Sequence, residues 1–244
     1  LIWVKQLDIY ILYASKCFQG ARGLSVAYLR DMETESMTDT PFLRPLRINE
    51  AAPDFTARTT RGQRRLSDYR GRWLAFFSHP ADFTPVCTSE FIALAQRQAD
   101  FNAIGCELLG LSVDSLYSHL AWLKDIRDRF GVTVEFPIIE DPSMVIAQAY
   151  GMIDRAAPDS ASVRATFVID PNGVVRAISW YPMNVGRSIE ELLRLVTALQ
   201  AADREGASAP EGWTPGAPLL QAAPTDFGDV LAGDDAWYYR PASR

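Results

Sequence analysis

Residues 72 to 79 read RWLAFFSH, and this short apolar run decides how the chain folds. It has the length and aromatic content of a buried strand, bounded by Tyr69-Arg70-Gly71 before it and Pro80 after it. Working outward, Phe91, Leu94, Ala95 and Phe101 recur at roughly helical spacing through about residue 102, and CELLGLSVD (106 to 114) reads as a second buried strand. Strand, helix and strand make one β-α-β unit, which implies a parallel pair. Beyond it, SLYSHLAWLKDIRDRF (115 to 130) places Leu116, Leu120, Leu123, Ile126 and Phe130 on one stripe, the pattern of an amphipathic helix, with His119 read as an exposed residue of it. FPIIED (136 to 141) is a short strand and SMVIAQAYG (143 to 151) a helix closed by Gly151. RATFVID-PNG-VVRAISWY (164 to 181) is a hairpin turning at Asn172-Gly173. Ser188 caps a final helix whose Ile189, Leu192, Leu193, Val196 and Leu199 form an apolar stripe, with Glu190 and Glu191 in its favourable first turn. The predicted class is α/β, a mixed central sheet with a parallel centre and an antiparallel edge, flanked by helices.

Composition narrows the function. The 244 residues are 48% hydrophobic and 22% charged, as for a folded globular protein large enough to bury a real core. A net charge of -6, from 24 basic against 30 acidic residues, and no basic run longer than Arg64-Arg65 argue against a nucleic-acid partner. Cys17, Cys87 and Cys106 are odd in number and widely spaced, unlike a secreted disulfide scaffold, so a reducing, cytoplasmic location is expected. Zinc takes four ligands, usually in close pairs, and His79, His119 and the dispersed cysteines supply none. No metal and no cofactor are expected.

The two ends differ from the middle. Residues 1 to 13, LIWVKQLDIYILY, carry Lys5 and Asp8 and are too short to span a bilayer, so no membrane anchor is expected. Asp8 also breaks the apolar stretch of a signal peptide, and Ala14-Ser15-Lys16-Cys17 is a poor cleavage site. Of the 24 basic residues 21 are Arg, yet two of the three Lys (Lys5, Lys16) fall here. Residues 1 to 36 therefore read as an extension outside the fold with Met37 as a candidate start; an amphipathic helix packed on the domain is the other reading. The domain itself spans 42 to 202. Residues 203 to 244 form an arm, with five Pro or Gly positions between Gly206 and Gly216 and the aromatic cluster Trp237-Tyr238-Tyr239, expected to pack on a partner subunit.

The chemistry concentrates at HPADFTPVCTSE, residues 79 to 90. Asp82 or Thr84 can serve as helix N-cap and Pro85 suits the first helical position, so Cys87 falls in the first turn. Unpaired backbone N–H groups and the positive end of the helix dipole favour a thiolate there. Thr84 can put its hydroxyl beside the sulfur, and Glu90 lies on the same helical face. Taken alone, an isolated cysteine reads more readily as a buried core residue. The run Pro80-x-x-x-Thr84-x-x-Cys87, however, resembles the active-site signature of the peroxiredoxins, and the longer HPADFTPVCTSE resembles their one-cysteine subgroup. The resemblance continues through Arg164 in VRATFVID and through Tyr181-Pro182 and Gly186-Arg187, covers roughly residues 42 to 240, and leaves out the leader.

That resemblance implies a thioredoxin-like fold whose C-terminal arm helps build a homodimer or a ring of dimers. It implies a thiol-dependent peroxidase for hydrogen peroxide and alkyl hydroperoxides, in which Cys87 attacks one peroxide oxygen and becomes a sulfenic acid. By the same resemblance Thr84 hydrogen-bonds the peroxide and the sulfur, Pro80 shields the pocket, Arg164 holds the thiolate and polarises the O–O bond, and Glu90 orients an arginine. Arg187 and His79 complete the substrate pocket, although His79 also reads as a strand-end histidine bonded to backbone. Two-cysteine relatives carry a resolving cysteine beyond the hairpin or in the arm; here no cysteine follows Cys106, so an external thiol reductant is implied. Cys106 opens a strand and reads as core. Arg72 stands where some relatives carry the serine of a phospholipase motif, so that activity is not expected. A disulfide oxidoreductase would want Cys-x-x-Cys, but Glu90 stands three residues after Cys87. A peroxide sensor or holdase chaperone using the same cysteine is the remaining alternative.

Overall fold

The computed structural model describes residues 46–153, 161–232 and 236–242. In chain order it contains a hairpin of β1 (Thr56–Thr59) and β2 (Gly62–Arg65), a short 3₁₀ turn, and β3 (Trp73–Ser78). Helices α1 (Pro85–Gln96) and α2 (Gln98–Ala103), strand β4 (Cys106–Ser112), helix α3 (Leu116–Phe130) and strand β5 (Ile138–Glu140) follow. Then come α4 (Val145–Ala149), the hairpin β6 (Arg164–Ile169) and β7 (Val175–Tyr181), α5 (Ile189–Glu205) and α6 (Phe227–Ala232). The leader, residues 1 to 36 with Cys17, and Met37 lie outside the described residues.

The strands form one sheet in the order β2-β1-β5-β4-β3-β6-β7. β3 pairs in parallel with β4, and β4 with β5, while the remaining neighbours are antiparallel. A parallel centre with an antiparallel edge is what the strand-helix-strand spacing and the Asn172-Gly173 turn predict. All six positions of β3 are buried, because helices or loops cover both faces of this strand and neither face can remain polar. Alternation along it feeds two layers: Leu74 and Phe76 join Leu109, Leu111, Tyr150 and Phe167. Ala75 and Phe77 join Phe91, Phe101, Leu108, Trp122, Ile126 and Val196 on the other face.

Several expectations change and one element is new. The helix expected to run from Pro85 to about residue 102 breaks at Arg97, whose φ of -99° and ψ of 4° end α1 and start α2. On α3 the predicted stripe is rotated. Leu120 and Phe130 are exposed, and the buried positions are His119, Trp122 and Ile126, because the large indole and a hydrogen-bonded imidazole take the inward side. The β1–β2 hairpin has no counterpart in the sequence reading, since TART and GQRR carry little apolar alternation to mark them. Ser188 caps the last long helix as read, its Oγ accepting from the Glu191 N–H at 3.2 Å, whereas the helix expected over 143–151 covers only Val145–Ala149 with Tyr150, not Gly151, at its C-cap; Gly131, not singled out in the sequence, closes α3 with φ +68°.

Past α5 the chain turns back on that helix. Trp213 and Leu219 are buried against Ala198 and Ala201, and Ser208 and Leu220 exchange two backbone hydrogen bonds of 2.8 Å. Phe227 and Leu231 of α6, with Tyr238 and Tyr239, stay exposed. No helix among the described residues is long and apolar enough to cross a membrane.

Phe91 ties α1 to the sheet. Its fully buried ring meets Trp122 at 4.6 Å, Phe136 at 5.5 Å and Phe77 at 5.8 Å between centroids. Phe91→Ala is expected to cost about 3–5 kcal/mol, the range for a buried aromatic truncated to a cavity, measured by urea unfolding. A loss below about 1 kcal/mol would contradict this placement.

Candidate active site

Cys87 is fully buried at the end of the sheet where β3 stops and α1 starts. Thr84 occupies the N-cap position with extended backbone and Pro85 follows in the first turn. The first helical hydrogen bond runs from the Thr88 N–H to the Thr84 carbonyl at 2.9 Å. The amides of Val86 and Cys87 precede it, at the positive end of the helix. Neither expected cap is made through a side chain. Thr84 Oγ1 donates instead to the Ala81 carbonyl at 2.8 Å, and Asp82 turns inward to two histidines. Between them Phe83 adopts φ +57° with its ring more than half exposed, a left-handed conformation costing a bulky residue about 1–2 kcal/mol. Pro80, directly after the strand, is buried.

Beside the thiol lies a closed charge network. Arg164 Nη1 sits 3.4 Å from Cys87 Sγ and 2.7 Å from Glu90 Oε2. The other donors of that guanidinium hold the Met183 carbonyl, Nε at 3.0 Å and Nη2 at 2.7 Å. Arg187 grips the same carboxylate three times: its backbone N–H and Nε reach Oε1 at 2.8 and 2.9 Å, and Nη2 reaches Oε2 at 2.8 Å. Its Nη1 donates to the Ala165 carbonyl at 2.9 Å, and its guanidinium lies 5.2 Å above the Phe77 ring. All three side chains are at most 5% exposed, so none is a surface charge. Burial opposes ionisation of Glu90, but the hydrogen bonds and charge of Arg187, reinforced by Arg164, hold its carboxyl below the ordinary range. Two cations against one carboxylate leave one positive charge over, beside the Cys87 sulfur.

The sequence brings these parts together through Gly186. A Cβ there would meet Val86 Cγ1 at 3.3 Å, so glycine lets the segment carrying Arg187 pass close over α1. Arg164 opens β6, which pairs directly with β3.

Behind the loop is a second buried cluster that sequence reasoning missed. His119 is not an exposed helix residue: its Nδ1 lies 2.8 Å from Asp82 Oδ2 and its Nε2 lies 3.2 Å from the Ile139 carbonyl. The signal was the spacing 119, 122, 126, which places the imidazole on the face of Trp122 and Ile126. His79 Nε2 meets Asp82 Oδ1 at 3.0 Å, a side-chain bond in place of the backbone bond expected, and its buried Nδ1 has no partner. Burial lowers the His79 pKa against the pull of Asp82. Burial likewise opposes the Asp82 charge, but the two imidazoles outweigh it and hold the carboxyl well below the usual range. His79, Asp82 and His119 have the chemistry of metal ligands and their ligating atoms lie within 4.8 Å of one another. Their separations of 2.8–3.0 Å are those of hydrogen bonds, and both imidazoles are committed to the one carboxylate.

Cys106 stands apart. It pairs with Trp73 at the start of β3, the opposite end from His79 and Cys87, and burial pushes its thiol up to about 12. Arg72, at the position of the absent serine, is bonded to Glu107 at 2.6 Å and to the Asp68 carbonyl at 2.7 Å.

The buried histidine gives acid sensitivity with a definite sign. Because the folded chain holds the His79 pKa below the ordinary 6.5, the unfolded chain takes up a proton there first as pH falls through 6.5. Its contribution to stability is complete above that pH and lost progressively below it. His79→Gln places an amide N–H at the Nε2 position without a titrating ring. Calorimetric melting between about pH 7.5 and about pH 5.5 should show a midpoint falling more steeply in the wild type than in this variant. Equal slopes would contradict the assignment.

Comparison with known proteins places this geometry in a family. Residues 48–178 match the model of the AhpC/TSA family. Peroxiredoxin 2 of Thermoplasma acidophilum is 45% identical over 198 residues, covering 79% of this chain and 98% of that protein. A solved yeast mitochondrial 1-Cys peroxiredoxin, described with thiol resolution via glutathione/thioredoxin systems, superposes with a TM-score of 0.72 at 38% identity, covering 80% of this chain and 98% of that one. The reduced 2-Cys peroxiredoxin of Plasmodium vivax does so with a TM-score of 0.68 at 31% identity, covering 78% and 100%. The expected α/β fold, thioredoxin-like with helices flanking a mixed sheet, is that of these structures. With its buried cysteine at a helix start beside an arginine, and with relatives of this similarity along most of its length, the chain belongs to the peroxiredoxins and is a thiol-dependent peroxidase, an oxidoreductase.

Proposed function

We propose that the chain is a one-cysteine peroxiredoxin that reduces hydrogen peroxide and alkyl hydroperoxides through Cys87 and is regenerated by an external thiol. The observation that carries this reading is Arg164 Nη1, shared between Cys87 Sγ at 3.4 Å and Glu90 at 2.7 Å. The Cys87 thiolate attacks one peroxide oxygen; the S–O bond forms as the O–O bond breaks. The second oxygen leaves with the electron pair and takes a proton to become water or alcohol, while Cys87 becomes a sulfenic acid. Arg164 stands where negative charge builds on the breaking bond, already oriented and out of water. Thr84 has its proton committed to the Ala81 carbonyl, so its oxygen is left to accept from the peroxide O–H. Pro80 walls the pocket at the strand end. Glu90 aims Arg164 and is itself held by Arg187, which makes both positioning groups for the thiol. His79 acts through Asp82, at the root of the loop.

Resolution within the chain has little support, since Cys106 is buried at the far end of β3 with its thiol raised to about 12, and no cysteine follows it. An external thiol then reduces the sulfenic acid, releasing water and forming a mixed disulfide that a second thiol opens. Residues 203–244 serve as a dimerisation arm in this reading, supported by the exposed Phe227, Leu231, Tyr238 and Tyr239, in a homodimer or a ring of dimers. A cytoplasmic setting suits the free thiols of Cys87 and Cys106.

Intact-mass spectrometry of the wild type and of Cys106→Ser, after one equivalent of hydrogen peroxide with a sulfenic-acid trap present, tests this. An adduct on Cys87 is expected in both proteins, with most peroxide consumption retained in Cys106→Ser and lost in Cys87→Ser. A wild-type loss of two hydrogens without adduct, abolished in Cys106→Ser, would make Cys106 a resolving cysteine and overturn the one-cysteine assignment.

A further inference from the structure

The loop from Pro80 to Thr84 has no regular structure of its own, yet it sets the position of the Thr84 hydroxyl and of the helix start carrying Cys87. Phe83 within it is in the left-handed region, a conformation that persists only where its surroundings enforce it. The ties that enforce it converge on Asp82. Its backbone N–H donates to Asp114 Oδ2 at 3.0 Å, and its carboxylate, 1% exposed, takes His79 and His119. His119 is the outer anchor. It rides on α3, whose Trp122 and Ile126 are packed in the core, and its far nitrogen faces the Ile139 carbonyl of β5. Both neighbours of the ring, the Asp82 carboxylate and the Ile139 carbonyl, are acceptors.

We propose that His119 is a positioning residue of the peroxidase site: through Asp82 it transmits the fixed geometry of α3 and β5 to the Thr84–Cys87 segment. The proposal rests on the peroxidase reading above and adds a residue that touches neither the thiol nor Arg164. The same linkage explains why Asp82 does not cap α1. Its carboxylate is spent on the core, and the helix start is defined by Thr84 and Pro85 instead.

Two substitutions of similar size separate the two halves of the anchor. His119→Asn puts an amide N–H near the Nδ1 position and keeps the bond to Asp82. His119→Gln puts it near Nε2, keeping the Ile139 contact and losing Asp82. The measurement is the second-order rate constant for oxidation of the reduced protein by hydrogen peroxide, followed by stopped-flow tryptophan fluorescence, with thermal midpoints for each protein. His119→Gln is expected to slow oxidation by about 10²-fold, the penalty for ångström-scale misplacement of a reacting group, while His119→Asn recovers to within about tenfold of wild type. Asp82→Asn, which disturbs the bonds to both histidines, should slow it at least as much as His119→Gln does, and the double variant Asp82→Asn/His119→Gln should lose less than the product of the two single losses, because both disturb the His119–Asp82 bond. A purely structural role would lower both midpoints without separating Asn from Gln in rate. Equal rates for the two His119 variants, or additive losses in the double variant, would overturn the proposal. A wild-type protein that forms no Cys87 adduct would instead remove the peroxidase reading, a result the variant comparison cannot produce.

Discussion

The buried carboxylate of Glu90 is the constraint on which the site depends. Two guanidiniums placed in a low-dielectric core beside a cysteine would repel each other, and backbone carbonyls take only part of their donors; Glu90, accepting from both, makes the placement tenable. Its hydrogen bonds also fix direction. With Nε and Nη2 of Arg164 held by the Met183 carbonyl and Nη1 held by Glu90, Nη1 is left aimed at Sγ. Removing one partner of such a buried network costs about 3–5 kcal/mol, so geometry here is enforced by stability.

The two described cysteines are equally buried but differ in what surrounds them. Cys87 and Cys106 are both inaccessible, at 0% and 1% exposure. Cys87 faces a helix N-terminus and an arginine. Cys106 lies in a strand between apolar neighbours and its thiol stays protonated, pushed up to about 12 by burial. A thioredoxin-like sheet delivers this contrast because β3 ends at the helix start on one side and begins opposite Cys106 on the other.

How much of this was legible in the sequence follows from the range of each interaction. The central strand, the β-α-β unit, the hairpin and the start of α1 at Pro85 are set by local periodicity and turn chemistry, and they read correctly. The motif singled out Cys87, Thr84, Glu90 and the two arginines, and the structure brings Cys87, Glu90, Arg164 and Arg187 together. Which arginine Glu90 holds was not legible, since its partners lie 74 and 97 residues away and no local pattern encodes them. His119 was misread because a polar residue on an amphipathic helix is by default placed outward; only the Asp82 carboxylate and Ile139 carbonyl, both distant in sequence, give it reason to turn in. The stripe on α3 failed for the same reason. The polar β1–β2 hairpin was missed because its pairing comes from the sheet edge it joins and not from its own hydrophobicity.

The central claim is that Glu90 aims Arg164 at Cys87. The direct measurement is the rate of Cys87 oxidation by hydrogen peroxide in Glu90→Gln, in protein shown to be folded by near-ultraviolet circular dichroism. The account predicts a fall of about 10²-fold, comparable to losing one preorganised donor at a developing charge. A folded Glu90→Gln protein that reacts at the wild-type rate would contradict it.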